Sequence, residues 1–317
     1  MRVPKPLFEG ACVALLAPAS GVGADAKERE EKVQRSVEAM KAWGLEAVVY
    51  PSCLDNYGYL AASDQQRAKD VMDAFCDDSI DGIWCLRGGY GVQRMLDLLD
   101  FDEIRKHPKW FGGYSDITAL HIALNQLADM VTYHCPMPST EVIGGIDAYT
   151  EKWLKTALFG DLTGELPQDE SKVSELHLLD GKDAMASALE TVEGELCGGN
   201  LSLVSSSLGT PYEIDTKGKI LFLEDIYEGI YRLDGMLNHM RLAGKFADCK
   251  GIVLGYWSEV PEEKSSMTLE QMLSDLLPHD KPVLMGYSCG HERPTMTLPL
   301  GKMARLDGKA MTLTVMN

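Results

Sequence analysis

Three residues have the types and settings around which a reaction could be built: Ser115, Glu224 and His291. Ser115 sits in Trp110-Phe111-Gly112-Gly113-Tyr114-Ser115-Asp116-Ile117-Thr118, which reads as a short apolar strand, a glycine turn and a helix start. A hydroxyl at such a junction is pushed out of the sheet, and the first helical N–H groups point at whatever it attacks. The helix dipole adds roughly half an elementary charge there. The competing reading makes Ser115 an ordinary helix N-cap.

A serine nucleophile needs a base, and the base needs an orienting acid. Of the seven histidines, His107, His177 and His279 lie in polar stretches, and His121, His134 and His239 fall inside predicted helices or strands. His291 differs, because it follows a predicted strand in Gly286-Tyr287-Ser288-Cys289-Gly290-His291, where glycines flank a turn that presents a side chain. Glu224 closes the apolar run Ile220-Leu221-Phe222-Leu223, so its carboxylate is expected to be partly desolvated and to seek a partner. Asp225 and Glu228 compete for the same role.

These residues are spaced by elements of alternating type. Residues 13–20 are a continuous apolar run ending in turn residues, the mark of a strand buried on both faces. A helix is predicted over 25–43, stopped by Gly44. A strand follows at 45–50, and Ser63-x-x-Gln66 resembles a capping box before a helix to about Cys76. The strand 80–86 runs into Arg87-Gly88-Gly89-Tyr90-Gly91 and a predicted helix over 92–99. That glycine turn is neither a dinucleotide fingerprint nor a P-loop. Strand 130–137 and helix 147–159 complete the alternation, which predicts a parallel sheet with helices on both faces. Ligands of such sheets gather beyond the carboxyl ends of the strands, where Arg87-Gly88-Gly89 and Gly113-Tyr114-Ser115 both fall. Further on, a helix is expected to open within 196–208. Strands are expected at 219–223, 251–256 and 282–287, a helix at 230–243, and a hairpin at Leu306-Asp307-Gly308-Lys309. The domains are expected at 1–165 and 187–317, joined by a polar linker over 166–186.

The 317 residues suit two domains. A net charge of −18 argues against a nucleic-acid partner, which usually demands a basic footprint. The eight cysteines are scattered, with no C-x-x-C, and read as small apolar residues in a reducing compartment. No His-Glu-x-x-His or clustered His/Cys spacing appears, so no metal or other cofactor is expected. No signal core or membrane span is read near the start, and the chain is expected to be cytoplasmic.

The segments L-R-G-G-Y-G (86–91), F-G-G-Y-S-D-I-T-A-L-H (111–121), G-G-N-L-S-L-V (198–204), L-F-L-E-D (221–225), Y-R-L-D-G-M-L (231–237) and G-H (290–291) resemble, in the same order, the LD-carboxypeptidases. This serine peptidase group includes muramoyltetrapeptide carboxypeptidase and the microcin C self-immunity hydrolase. The resemblance implies a Ser–Glu–His triad, which falls on Ser115, Glu224 and His291, and an oxyanion hole from the N–H groups of Gly89 and Asp116. It implies an N-terminal parallel-sheet α/β domain of flavodoxin-like type, a smaller β-rich α/β C-terminal domain, and a homodimer. The implied substrate is cytoplasmic murein tetrapeptide, cut to release D-alanine. Arg87 and Arg232 are candidates for its free carboxylate, since a guanidinium pairs a carboxylate bidentately. For Arg232 a surface ion pair one turn away is the competing reading. Two alternatives remain: hydrolysis of peptidyl or aminoacyl nucleotides, with Trp153, Tyr256 or Trp257 to stack the base, and a non-catalytic small-ligand module.

Overall fold

The computed structural model describes residues 1–180, 185–261 and 267–317. The chain divides into two compact units, Met1–Asp161 with Thr297–Pro299, and Leu162–Met296 with Leu300–Asn317.

The first unit is built on a six-stranded sheet in the order Leu298–Leu300, Thr132–His134, Trp110–Gly113, Gly82–Cys85, Cys12–Leu16, Glu46–Val49. The five strands from the N-terminal part pair in parallel. In chain order they read second, first, third, fourth, fifth across the sheet, the flavodoxin-like winding. The order reverses between Cys12–Leu16 and Gly82–Cys85, so the turns leaving those two strands flank the place where such sheets bind ligands. Apolar runs made these strands because both faces are covered: Leu15, Leu16, Trp84, Trp110 and Phe111 are buried. Trp110 meets Trp84 edge-on at 5.8 Å and stacks on Tyr133 at 5.3 Å. Each such aromatic pair adds about 0.5–1.5 kcal/mol beyond its buried area.

Helix Ala26–Ala42 is capped by Asp25, and helix Asp64–Cys76 by Ser63, whose Oγ accepts from Gln66 N at 3.2 Å. Only the serine half of the expected capping box forms there, because the Gln66 side chain donates to Asp70 instead, at 2.7 Å. Residues 92–98 form a tighter 3₁₀ helix rather than the expected α-helix.

The second unit holds an eight-stranded sheet in the order Gly164–Glu165, Thr312–Val315, Met303–Asp307, Thr191–Asn200, Ile220–Ile226, Gly251–Ser258, Val283–Met285, His177–Leu178. The four strands from Thr191–Asn200 to Val283–Met285 are parallel, and the flanking strands are antiparallel. The polar stretch read as a linker supplies an outer strand, His177–Leu178, at one edge. Its residues 181–184 lie outside the described residues. Where the sequence suggests a helix opening at Leu196, the strand instead runs on to Asn200 and the helix is Leu201–Ser206. The reason is Gly198, held at φ +121°, where a Cβ would overlap the Phe222 carbonyl of the neighbouring strand. Glycine lets the two backbones close on each other.

Candidate active site

In the first unit the strand Trp110–Gly113 delivers Ser115 at the mouth of the 3₁₀ turn Ser115–Ile117, which continues into helix Thr118–Ala128. Ser115 is half-buried and adopts φ +64°, a left-handed conformation that costs a non-glycine residue on the order of 1–3 kcal/mol. No helical N–H is capped by its hydroxyl, since neither the turn nor the helix has a side-chain cap bond. The left-handed turn instead sets Ser115 Cβ and Oγ against the backbone of Gly88.

Two loops close around that turn. A Cβ on Gly88 would stand 2.7 Å from Ser115 Cβ, 2.9 Å from its Oγ and 3.2 Å from Asp116 N, so only glycine lets the loop pass so near. Gly89, at φ +115°, is pressed against the Ser20 side chain, whose Oγ accepts from Tyr90 N at 3.2 Å. The Asp116 carboxylate is buried and accepts from Val92 N at 2.9 Å, tying the serine turn to the end of the glycine loop. Burial raises its pKa to about 7, against the opposing pull of that hydrogen bond and of Arg67. Arg67 is fully buried and donates to the carbonyls of Pro18 (2.5 Å), Ala62 (3.1 Å) and Gly91 (2.8 Å), which fastens both loops. Arg87 is half-buried; Nη1 donates to Gly21 O at 3.0 Å, and its buried Nε has no acceptor among the described residues. His121 is buried with Nε2 donating to Gly113 O at 2.8 Å, and burial lowers its pKa to about 4, so it is a neutral packing residue.

In the second unit, Glu224 is fully buried on Ile220–Ile226, and its Oε2 lies 2.6 Å from Nδ1 of His291. A carboxylate can only accept, so Nδ1 carries the proton and a neutral ring keeps its lone pair on Nε2. His291 is 11% exposed. Its loop is seated by backbone bonds from Tyr287 N to Leu254 O (3.0 Å) and from Tyr256 N to Cys289 O (2.9 Å). Gly290 is at φ +128°, and a Cβ there would stand 2.9 Å from Glu224 Oε2. The rival acids are engaged elsewhere. Asp225 projects to the other face, accepting from Asn200 Nδ2 (3.0 Å), Ser202 N (2.9 Å) and Ser202 Oγ (2.8 Å). Its pKa is raised by burial first and by neighbouring Glu224 second. Glu228 pairs with Arg232 at 2.5 Å on the helix Ile230–Leu242, and Arg232 is 59% exposed. Of the aromatic residues considered for stacking, Trp153 and Tyr256 are buried and Trp257 is half-buried.

Gly88, Arg67 and the Asp116 side chain escaped the sequence reading. Gly88 stood inside a quoted motif, yet nothing distinguished it from Gly89. Arg67 lies inside the helix expected to run to about Cys76, and nothing in its local sequence set it apart.

A family model described as LD-carboxypeptidase N-terminal domain matches residues 13–135, and one described as LD-carboxypeptidase C-terminal domain matches residues 193–306. The chain is 38% identical to a probable murein peptide carboxypeptidase of Bacillus subtilis, over 98% of this chain and 93% of that one. A crystal structure of muramoyltetrapeptide carboxypeptidase from Oxalobacter formigenes is 30% identical, with a TM-score of 0.78 over 96% of this chain and 98% of that one. The structure of MccF in complex with glutamyl sulfamoyl guanosine is 22% identical, with a TM-score of 0.86 over 99% and 98%, a likeness of fold.

Proposed function

Because the chain belongs to the LD-carboxypeptidase family of peptidases, we propose that it is a serine-type carboxypeptidase that releases terminal D-alanine from murein tetrapeptide. The observation that carries this reading is the 2.6 Å bond from His291 Nδ1 to a carboxylate with no exposure, which leaves Nε2 basic. In the mechanism, Nε2 takes the Ser115 proton as Oγ attacks the carbonyl carbon of the scissile L-D bond. The N–H groups of Gly89 and Asp116 receive the oxyanion, a contribution of about 3–4 kcal/mol per donor in other enzymes. The imidazolium, stabilised by Glu224, protonates the departing D-alanine amine. Water, deprotonated by the same ring, then frees the acyl group from Ser115.

A free carboxylate on the substrate needs a cation. Arg87 is better supplied than Arg232, because its Nε is uncommitted whereas Arg232 Nε is held by Glu228. A homodimer and a cytoplasmic setting belong to the same reading. Among the described residues no helix is long and apolar enough to cross a membrane.

The test is D-alanine release from L-Ala-γ-D-Glu-meso-diaminopimelate-D-Ala by the protein and by Ser115→Ala. Release by the unsubstituted protein alone supports both reaction and nucleophile. Release by both refutes the nucleophile. Release by neither shifts the substrate to an aminoacyl nucleotide, for which an aminoacyl-sulfamoyl adenosine is the probe.

A further inference from the structure

At the amino ends of the first unit's parallel strands, the end opposite the Ser115 turn, three side chains of unlike chemistry converge. Cys76 ends the helix Asp64–Cys76, Glu103 lies on the short helix Phe101–Ile104, and His107 follows it just before the strand Trp110–Gly113. The Cys76 sulfur, a Glu103 carboxylate oxygen and a His107 ring nitrogen all lie within 4.8 Å of one another. We infer that Cys76, Glu103 and His107 form a binding site for a divalent ion of the zinc class, separate from the Ser115 chemistry.

The geometry supports the inference in three ways. His107 Nε2 stands 3.3 Å from Glu103 Oε1. That is the edge of a tetrahedron of nitrogen and oxygen donors about 2.0 Å from a central ion. The far ring nitrogen, Nδ1, has the Asp78 carboxylate within ion-pair reach at 3.7 Å, longer than a hydrogen bond but near enough to close on the ring as the outer support usual for a metal-bound histidine. Glu103 also divides its work, Oε2 bonding Lys106 at 2.5 Å while Oε1 faces the histidine. Thiolate and imidazole together favour zinc over magnesium or calcium. On binding, the Cys76 thiol releases its proton to solvent and the thiolate takes its place on the ion. The ion would staple the end of one helix to the segment entering the serine strand. The three positions match no zinc motif in sequence, because the partners meet only through the packing of the two helices.

The test uses the full chain, stripped of metal by a chelator and kept reduced with a phosphine, and titrated with Co²⁺ and then Zn²⁺. One equivalent of Co²⁺ should give the intense visible bands of a tetrahedral site with a thiolate charge-transfer band in the near ultraviolet, and Zn²⁺ should bleach both. Cys76→Ser should lose the charge-transfer band, and His107→Ala should weaken binding at least about tenfold. Circular-dichroism melting of each metal-free variant, matched to the metal-free parent, separates loss of ligand from loss of fold. Absence of a saturable thiolate band in the parent, or its persistence in Cys76→Ser, overturns the site.

Discussion

Ser115 holds its hydroxyl at φ +64° on a turn that it does not cap, and the energy of that conformation comes from the packing around it. Glycine at 88 is part of that packing. Gly88→Ala places a methyl 2.7 Å from Ser115 Cβ, and D-alanine release is expected to fall at least about 100-fold with the protein still folded. Activity near that of the parent would show that the loop can move aside. The second residue-scale prediction concerns Glu224. Its 2.6 Å bond keeps the His291 proton on Nδ1. Glu224→Gln can turn its amide N–H toward Nδ1 and hold the ring in the wrong tautomer. The turnover number should drop by about 10⁴ with KM little changed. A change confined to KM would assign Glu224 to substrate binding instead.

At the scale of elements, the first unit depends on how its loops are fastened. Arg67 reaches from the helix Asp64–Cys76 to carbonyls of three other segments. Arg67→Met leaves those carbonyls without their donor, and denaturant unfolding should show a loss of roughly 3 kcal/mol. A loss under about 0.5 kcal/mol would mean that water replaces the guanidinium at little cost.

Asp116 joins the serine turn to Val92, and its pKa stands at about 7 because burial outweighs the hydrogen bond and Arg67. Its folded pKa therefore lies above the unfolded value of about 4. A group shifted in that direction stabilises the fold fully below the unfolded pKa and loses that contribution as pH rises through the folded one. Asp116→Asn keeps an acceptor for Val92 and cannot ionise. Its stability relative to the parent should climb by a few kcal/mol between about pH 4 and pH 8, read by denaturant unfolding at both ends. A flat difference would mean that Asp116 does not change charge in that window.

For the whole molecule, the net charge of −18 sets the long-range field. The proposed substrate, a murein tetrapeptide, carries more carboxylates than amines, so the field would oppose its approach. Raising salt from about 10 to 150 mM shortens the Debye length from about 30 to 8 Å and should raise kcat/KM a few-fold, with kcat unchanged. A fall in kcat/KM would point to a positive local potential that overrides the molecule's total.

Much of this protein was legible along the chain because the signals are short-range. Apolar runs bounded by glycine and polar turns marked the parallel strands, and the turn chemistry around Ser115 and His291 marked those two residues. The strand expected to end at Leu223 runs on to Ile226 in the structure, so its alternation sends Glu224 and Asp225 opposite ways. What the residues by themselves left open, and only the resemblance to a family pointed to, was which acid would meet a histidine, since Glu224 and His291 come together from 67 positions apart, with the strand Gly251–Ser258 lying between the strands Ile220–Ile226 and Val283–Met285. The same holds for Arg67, whose burial depends on carbonyls from three separate loops. It holds for Gly88, which differs from Gly89 only in what stands opposite. It holds for Leu196–Asn200, extended because Phe222 lies alongside. Periodicity and turn chemistry are properties of neighbours in sequence. Desolvation, close approach and the pairing of distant charges are properties of neighbours in space, and only the folded chain creates them.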